Sequence, residues 1–303
     1  MPKKLPKGLR QIGFQEKRGL FRNPGQVCGH ENGIYEDVTG RFYGVRVLRS
    51  DSRDIDENLS IEEELVQQAE QGVLCLLFWR NENCVVIGRH QDPEAECRLD
   101  IAEKLGIRIA KRRTGGGAVF QDMGNLNVSF IAPANSLDEE ICENILLKAL
   151  AKCGVDARKT GRNDLVLNDA GPEDADTEIT ELINKKEAVR VGQEAGPEDA
   201  DTEITELINK KEDVGAGQEA GQGGKFSGSA SRETPEGIFL FHATLMFNVD
   251  LDWMTAVLNA SPGKLARHGI ASVRSRVTNL CEHYPDLKME AVMQAIISES
   301  AAI

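Results

Sequence analysis

The sequence has no C-x-x-C pair and no Cys/His group at zinc-like spacing, so a structural zinc site has no ligands to draw on. Seven cysteines stand at 28, 75, 84, 97, 142, 153 and 281. Their number is odd, and Cys75 (in VLCLLFW) and Cys84 (in NCVVIG) lie in apolar runs. Buried free thiols in a reducing compartment are favoured over a disulfide framework. No apolar run approaches the roughly 20 residues that span a bilayer, which argues against a membrane-embedded protein. Positive charge is in deficit: the 303 residues carry a net −13, which argues against a nucleic-acid binder relying on general basic character. The G-x-x-x-x-G-K-[ST] and G-x-G-x-x-G signatures are both missing, so neither a Walker loop nor a Rossmann fingerprint is present.

What is present suits a globular domain. Hydrophobic residues make up 40 %, enough for a sizeable core, and the length allows one large domain or two small ones. Residues 1–43 read as a basic extension. Lys3, Lys4, Lys7, Arg10, Lys17, Arg18 and Arg22 face one early acid, Glu16, a balance shared by transit peptides and by plain solvated tails. From Gly44 the chain gains regular patterning. GVRVLRS alternates as a strand, and 58–71 (NLSIEEELVQQAEQ) reads as a helix. VLCLLFWR and CVVIGR, joined by Asn81-Glu82-Asn83, predict a hairpin; AVFQDMGNLNVSFIAP predicts another, turning near Gly124-Asn125. CRLDIAEKLG and ICENILLKALAKCG read as helices, the second capped at Gly154. IRIAKRR and IFLFHATLMFNV read as strands, and LKMEAVMQAIISES as a helix. Strand and helix types mix without βαβ alternation, which predicts an α+β domain with a mixed sheet.

Residues 170–194 recur as 195–219 with three differences in 25 positions. Two copies are too few for a solenoid. The stretch 170–221 carries 15 acidic and 5 basic residues, so most of the chain's negative charge sits there. A tandem duplication forming a flexible insertion is favoured over an acidic docking arm.

Two segments carry chemistry. In Lys111-Arg112-Arg113-Thr114-Gly115-Gly116-Gly117-Ala118-Val119-Phe120, three glycines follow a strand. A loop without side chains lets backbone N–H groups receive an anion, and the arginines add fixed positive charge. In Gly224-Lys225-Phe226-Ser227-Gly228-Ser229-Ala230, a lysine among small residues suits a position between a carboxylate and a phosphate, though from this segment alone a flexible lysine in a Gly/Ser turn is the preferred reading.

Seven pieces in order resemble the lipoate-protein ligase A and mitochondrial lipoyltransferase family, within the biotin/lipoate ligase superfamily. They are Asn58-Leu59 with Glu62-Glu63, FWRNENCVVIGRHQDPEAEC, KRRTGGGAVFQDMGN, GRNDLVLND, KFSGSA, FHATLMFNVDL and GIASVRSRVTNL, spread from about Val45 to Leu280. The resemblance implies an α+β fold, a mixed β-sheet flanked by helices, with a catalytic domain over 44–290 interrupted by the acidic insertion 170–222, and a tail over 291–303. It implies an enzyme that joins lipoate to ATP with Mg²⁺, giving lipoyl-AMP. The lipoyl group then passes to a lysine of a lipoyl domain in a 2-oxoacid dehydrogenase complex, or of the glycine-cleavage H protein. Neither a nucleic acid nor a membrane is an expected partner.

By the same resemblance Arg112 is the nucleotide-contacting arginine, and Gly115, Gly116, Gly117, Ala118, Val119 and Phe120 form the nucleotide and lipoyl-AMP loop. Lys225 is the catalytic lysine touching acyl carboxyl and phosphate. Asn163, Asp164 and His242 support it, Asp164 as a Mg²⁺ ligand, and Phe78 and Trp79 open the lipoyl tunnel. The implied location is mitochondrial, with the cytoplasm as the alternative. Two residues depart from the family pattern: Gln121 stands where a histidine is usual, and Ala243 where a glycine is usual, its methyl expected to crowd a backbone contact. Ligases of the family continue for about another, accessory domain beyond the position of Ile303. Transfer of preformed lipoyl-AMP alone, and a catalytically degenerate lipoyl-domain scaffold, therefore stay open as alternatives. An octanoyltransferase would need a cysteine near 259–264, which the chain lacks there.

Overall fold

In a computed structural model, the structure describes residues 6, 8–16, 42, 44–161, 163–168, 224–259 and 277–303. The acidic insertion and the segment 260–276 lie outside the described residues, as does most of the basic N-terminal stretch. The strands are β1 (Leu9–Glu16), β2 (Gly44–Ser50), β3 (Val73–Trp79), β4 (Cys84–Ile87), β5 (Arg108–Lys111), β6 (Val119–Gln121), β7 (Asn125–Pro133), β8 (Ala157–Thr160), β9 (Asp164–Leu167), β10 (Lys225–Glu233) and β11 (Ile238–Met246). The helices are α1 (Ile55–Gln67), α2 (Pro93–Glu96), α3 (Leu99–Lys104), α4 (Glu139–Lys152), α5 (Leu251–Val257), α6 (Leu280–His283) and α7 (Met289–Ala302).

Eight strands form one sheet in the order β1-β2-β3-β7-β11-β10-β9-β8, and three form a second, β5-β4-β6. The large sheet is mixed, because β2 and β3 run parallel while its other neighbours are antiparallel. Alternation along each strand splits the core in two. Leu76, Phe78, Phe130 and Phe241 join the cluster that includes α4 and α7. Leu77, Trp79, Ile131 and Leu240 join the cluster that includes α1 and one face of the small sheet. Strand β3 is buried along its whole length, which explains its unbroken VLCLLFW run.

Local signals set the helix ends. Asp54 caps α1 by accepting from the Asp56 and Glu57 N–H groups, and Asp138 caps α4 by accepting from Ile141. Gly154 takes φ 79° just past α4. Burial pushes the Cys75 thiol up to about 12 and, with the Glu96 charge adding, the Cys97 thiol up to about 11, so both stay protonated and unreactive. Among the described residues no helix is long and apolar enough to cross a membrane.

Four features differ from the sequence expectations. Neither expected hairpin forms. Strands β3 and β4 fall in different sheets, as do β6 and β7. Both links cross between layers because their polar residues are drawn inward. Asn81 donates to Gln121 at 2.6 Å and accepts from Asn58 at 2.8 Å, and the Gly124 backbone lies so close to Asn248 that a Cβ would stand 1.9 Å from its carbonyl oxygen. The strand β1 arises inside the basic N-terminal stretch, where no period is visible, and pairs with the edge of β2. Helix α7 runs through the boundary drawn at 290 and places Val292, Met293, Ile296 and Ile297 in the core. Replacing Ile296 with Ala is therefore expected to cost about 2–5 kcal/mol in urea unfolding, and a change below about 0.5 kcal/mol would mean that the helix does not belong to the domain.

Candidate functional site: a glycine turn over one face of the sheet

The parallel pairing of β5 with β4 delivers the chain to Arg112, and the next residues turn back toward β6. The carbonyls of Thr114, Gly115, Gly116 and Gly117 face the protein. The Thr114 oxygen accepts from the Arg89 N–H at 2.9 Å. Gly115 accepts from Arg112 Nη2 at 2.6 Å, and Gly117 from the same nitrogen at 2.7 Å. The Gly116 oxygen packs on Gly88 so closely that a Cβ there would stand 2.2 Å from it. A trans peptide is planar, so the N–H groups of Gly115, Gly116, Gly117 and Ala118 point the opposite way. Among the described residues they donate to no backbone carbonyl. With the carbonyls held inward, these outward amides are available to hydrogen-bond an anion.

Arg112 is 6 % exposed. Besides Gly115 and Gly117 it donates from Nη1 to the Val86 oxygen (2.9 Å) and from Nε to Thr114 Oγ1 (3.1 Å). A guanidinium has five N–H donors, so this arrangement leaves one for a ligand. Burial pushes Arg112 down to about 10, with the Glu62 charge pulling it back up. The structure thus sets the sequence-derived nucleotide arginine behind the loop, as its brace.

Lys225 reaches the same side of the sheet through a bulge. Counting by twos, Lys225 and Gly228 belong on opposite faces. The β9–β10 register shifts between Lys225 and Ser227, which inserts one residue and restores them to a common face. There the ammonium holds Asp164 Oδ1 at 2.6 Å and lies over Gly228, where a Cβ would stand 3.5 Å from Nζ. A Cβ on Gly116 would stand 3.9 Å from that of Ala230. Gly228 and Ala230 are two apart on β10, so ammonium and glycine turn overlie positions roughly 7 Å apart on one face. Asp164, Gly228, Thr244, Asn127 and Trp79 form one cross-strand row there, and Ala230, His242, Ser129 and Leu77 the next. Asn163 lies beside them, its carbonyl accepting from the Ser229 N–H at 2.8 Å. The strands flanking the acidic insertion meet directly, since the Leu167 N–H donates to the Gly224 oxygen at 3.3 Å.

Trp79 and Phe78 face opposite layers, so they do not share a wall of one tunnel along the strand. Both line a pocket of about 200 Å³ at the strand's end. Gln121 is 3 % exposed and its oxygen accepts from Asn81 and, at 3.3 Å, from Asn127, so it ties the two sheets together. The Ala243 methyl joins the α4–α7 cluster, on the opposite face from the glycine turn.

A buried chain lies under the turn; sequence reasoning named His242 as a supporting residue but missed its links to Glu62, Ser129 and Thr114. Glu62 Oε1 accepts from Ser129 Oγ (2.6 Å) and is 3.0 Å from His242 Nδ1; His242 Nε2 is 2.9 Å from Thr114 Oγ1. Ser129 also accepts from Trp79 Nε1 at 2.9 Å. The available signal was an acid on the apolar stripe of α1, between Ile61 and Leu65.

The architecture is that of a lipoate/biotin ligase catalytic domain. The model of the lipoyl protein ligase A/B catalytic domain matches residues 54–301. Three solved structures resemble the chain. The bipartite lipoate protein ligase of Thermoplasma acidophilum, studied with its E2 lipoyl domain, is 26 % identical over 80 % of this chain and 76 % of its own (TM-score 0.56). The protein Ta0514 of T. acidophilum, with bound lipoic acid, is 26 % identical over 84 % and 83 % (0.54). A lipoate-protein ligase A bound with ATP is 28 % identical over 80 % and 77 % (0.53). The chain belongs to the lipoyl protein ligase A/B catalytic domain family. It is an enzyme of the lipoate-protein ligase class.

Two outcomes are expected from this geometry. Gly88→Ala should displace the glycine turn, raising amide hydrogen exchange in 112–121 while the far-UV spectrum stays unchanged; unchanged exchange would contradict the close packing. The second outcome concerns acid stability. Burial pushes the Glu62 carboxyl up, but the His242 charge and the hydrogen bonds from His242 and Ser129 outweigh it, so it titrates below its ordinary 4.5. A depressed folded-state value stabilises the fold above 4.5, and that stability is lost as pH falls through the folded value. Urea midpoints should therefore drop between pH 6 and pH 3, and Glu62→Gln should flatten the drop. Parallel curves for the two proteins would reject the assignment.

Proposed function

We propose that the chain attaches a lipoyl group, through lipoyl-AMP, to a specific lysine of lipoyl domains or of H protein. The observation that carries this reading is the shared face of β10, with four outward amides at one position and the Lys225 ammonium at the other. Relatives with bound lipoic acid, with ATP and with an E2 lipoyl domain support the ligand assignments.

In the first step a lipoate carboxylate oxygen bonds to the α-phosphorus of ATP, and pyrophosphate leaves. Lys225 holds the carboxylate and the α-phosphate against each other, offsetting the charge that concentrates between them. The turn amides hydrogen-bond the phosphate oxygens, and Arg112 keeps them aimed outward. In the second step the acceptor lysine's neutral amine attacks the acyl carbon, AMP leaves, and the amine loses a proton to solvent. Closing the turn over the face keeps water from the mixed anhydride. For Mg²⁺ the site offers Asp164, already paired with Lys225; among the described residues no three His, Cys, Asp or Glu form a cage. That fits an ion held mainly by phosphates with one or two carboxylates, which would supply neutralisation of phosphate charge.

A second reading, transfer of preformed lipoyl-AMP without adenylation, rests on Arg112, whose donors are largely committed to the turn and to the Val86 carbonyl. The location is read as mitochondrial, with the cytoplasm as the alternative, from the family resemblance. Lipoylation of apo H protein, given lipoate with ATP and separately synthetic lipoyl-AMP, separates the readings. Activity with both supports a ligase, activity with the adenylate alone a transferase, and activity with neither a non-catalytic scaffold. Lys225→Ala is expected to lower turnover by about a hundredfold or more, and full turnover in that variant would reject the site.

A further inference from the structure

The glycine turn owes its posture to Arg112, and Arg112 is a buried cation. Its ion partner is not adjacent. Among the described residues the acids beside the turn engage other cations: Glu63 pairs with Arg232 and, at 3.4 Å, with Arg113, while Asp164 pairs with Lys225. The charge joined to Arg112 lies two residues away through space. Arg112 Nε donates to Thr114 Oγ1, that hydroxyl is 2.9 Å from His242 Nε2, and His242 Nδ1 is 3.0 Å from Glu62 Oε1. Thr114 is 1 % exposed and Glu62 4 % exposed, so solvent screens this chain little. It spans three layers: the turn, strand β11 and helix α1.

The geometry points to Glu62 as a positioning residue for the lipoyl transfer reaction, the buried counter-charge that acts through His242 and Thr114 to hold Arg112, and with it the carbonyl-in, amide-out posture of the glycine turn. A guanidinium donates only and a carboxylate accepts only, so a hydroxyl and an imidazole are the kinds of group that can link them in series. Ser129 and Trp79 anchor the far end: Ser129 donates to the same Glu62 oxygen while accepting from the indole, which fixes the carboxylate on the sheet. Removing the Glu62 charge leaves a buried cation without its partner, and the guanidinium then turns toward solvent or toward the ligand, releasing the Gly115 and Gly117 carbonyls. The peptide planes of the turn rotate with them, and the outward amides lose their common aim. Glu62 does not touch the reacting atoms in this scheme, so it governs binding of the phosphate rather than the chemical step.

This inference rests on the proposed lipoyl transfer for its kinetic readout but not for its structural one. Glu62→Gln, Thr114→Val and Thr114→Ser are compared with the parent protein by amide hydrogen exchange over 112–121 and by transfer from synthetic lipoyl-AMP. The Gln variant and the Val variant are expected to exchange about tenfold faster in that peptide, and to raise KM for lipoyl-AMP about tenfold with kcat changed less than about threefold, the size of one charge-assisted hydrogen bond. The Ser variant keeps the hydroxyl and should restore both. A folded Glu62→Gln protein with parent-like exchange and KM overturns the proposal, as does a Thr114→Val protein indistinguishable from the parent. Should Glu62→Gln fail to fold, the Val and Ser pair at 114 decides alone. If the parent transfers no lipoyl group at all, the functional reading fails, while the exchange data still decide whether Glu62 controls the turn.

Discussion

The grip of the Arg112 guanidinium on the carbonyls of Gly115 and Gly117 is the interaction on which the site depends. A phosphate-binding turn needs amides aimed at the ligand, and a flexible triple glycine has no preference of its own for that arrangement. Planarity of the peptide bond converts the problem into one of holding carbonyls. A planar cation with several donors in fixed directions suits that task, which a single lysine ammonium would do poorly. The Gly88–Gly116 contact completes the enclosure, because any side chain at 88 would push the third carbonyl out of place.

Lys225 meets the turn for a reason rooted in sheet geometry. Side chains alternate along a strand, and the glycine that Lys225 covers stands three positions further on, an odd number. The bulge at Phe226 absorbs the odd residue: Phe226 and Ser227 are both buried, while Lys225 joins Asp164 on the face under the glycine turn. Deleting one residue here would send the ammonium into the α4–α7 layer. Charge and packing are thus settled together by one irregularity in the hydrogen-bond ladder.

Much of the fold was readable from the sequence. The apolar stripe of α1, the runs of β3 and β11, and the Gly154 cap each follow from local patterning that survives in the structure. The two missed hairpins share a cause. Asn81 and Gly124 look like turn residues because asparagine and glycine favour turns in general, but here one is consumed by a buried amide network and the other by a close backbone contact. Such roles depend on partners distant in the chain, at Asn58, Gln121 and Asn248, which periodicity does not register. The same holds within the site. The glycine run and Lys225 announce themselves by composition, whereas Glu62, Ser129 and His242 are separated by 67 and 180 positions and become neighbours only when α1, β7 and β11 are stacked.

The acidic duplication tests how far the site tolerates its surroundings. Residues 169–223 separate the strand that carries Asp164 from the strand that carries Lys225. Those strands are adjacent partners in the sheet, and the Leu167–Gly224 hydrogen bond brings the two ends of the intervening chain side by side. Closing a loop between neighbouring ends costs entropy that grows only with the logarithm of its length, so doubling the loop adds about 0.6 kcal/mol. A second copy of the repeat therefore adds little to the cost of forming the Lys225–Asp164 pair. Had the duplication fallen inside β10, it would have broken the register that sets the bulge. Its placement between two paired strand ends is the reason the Lys225–Asp164 face persists in a chain carrying most of its net charge in a single insertion.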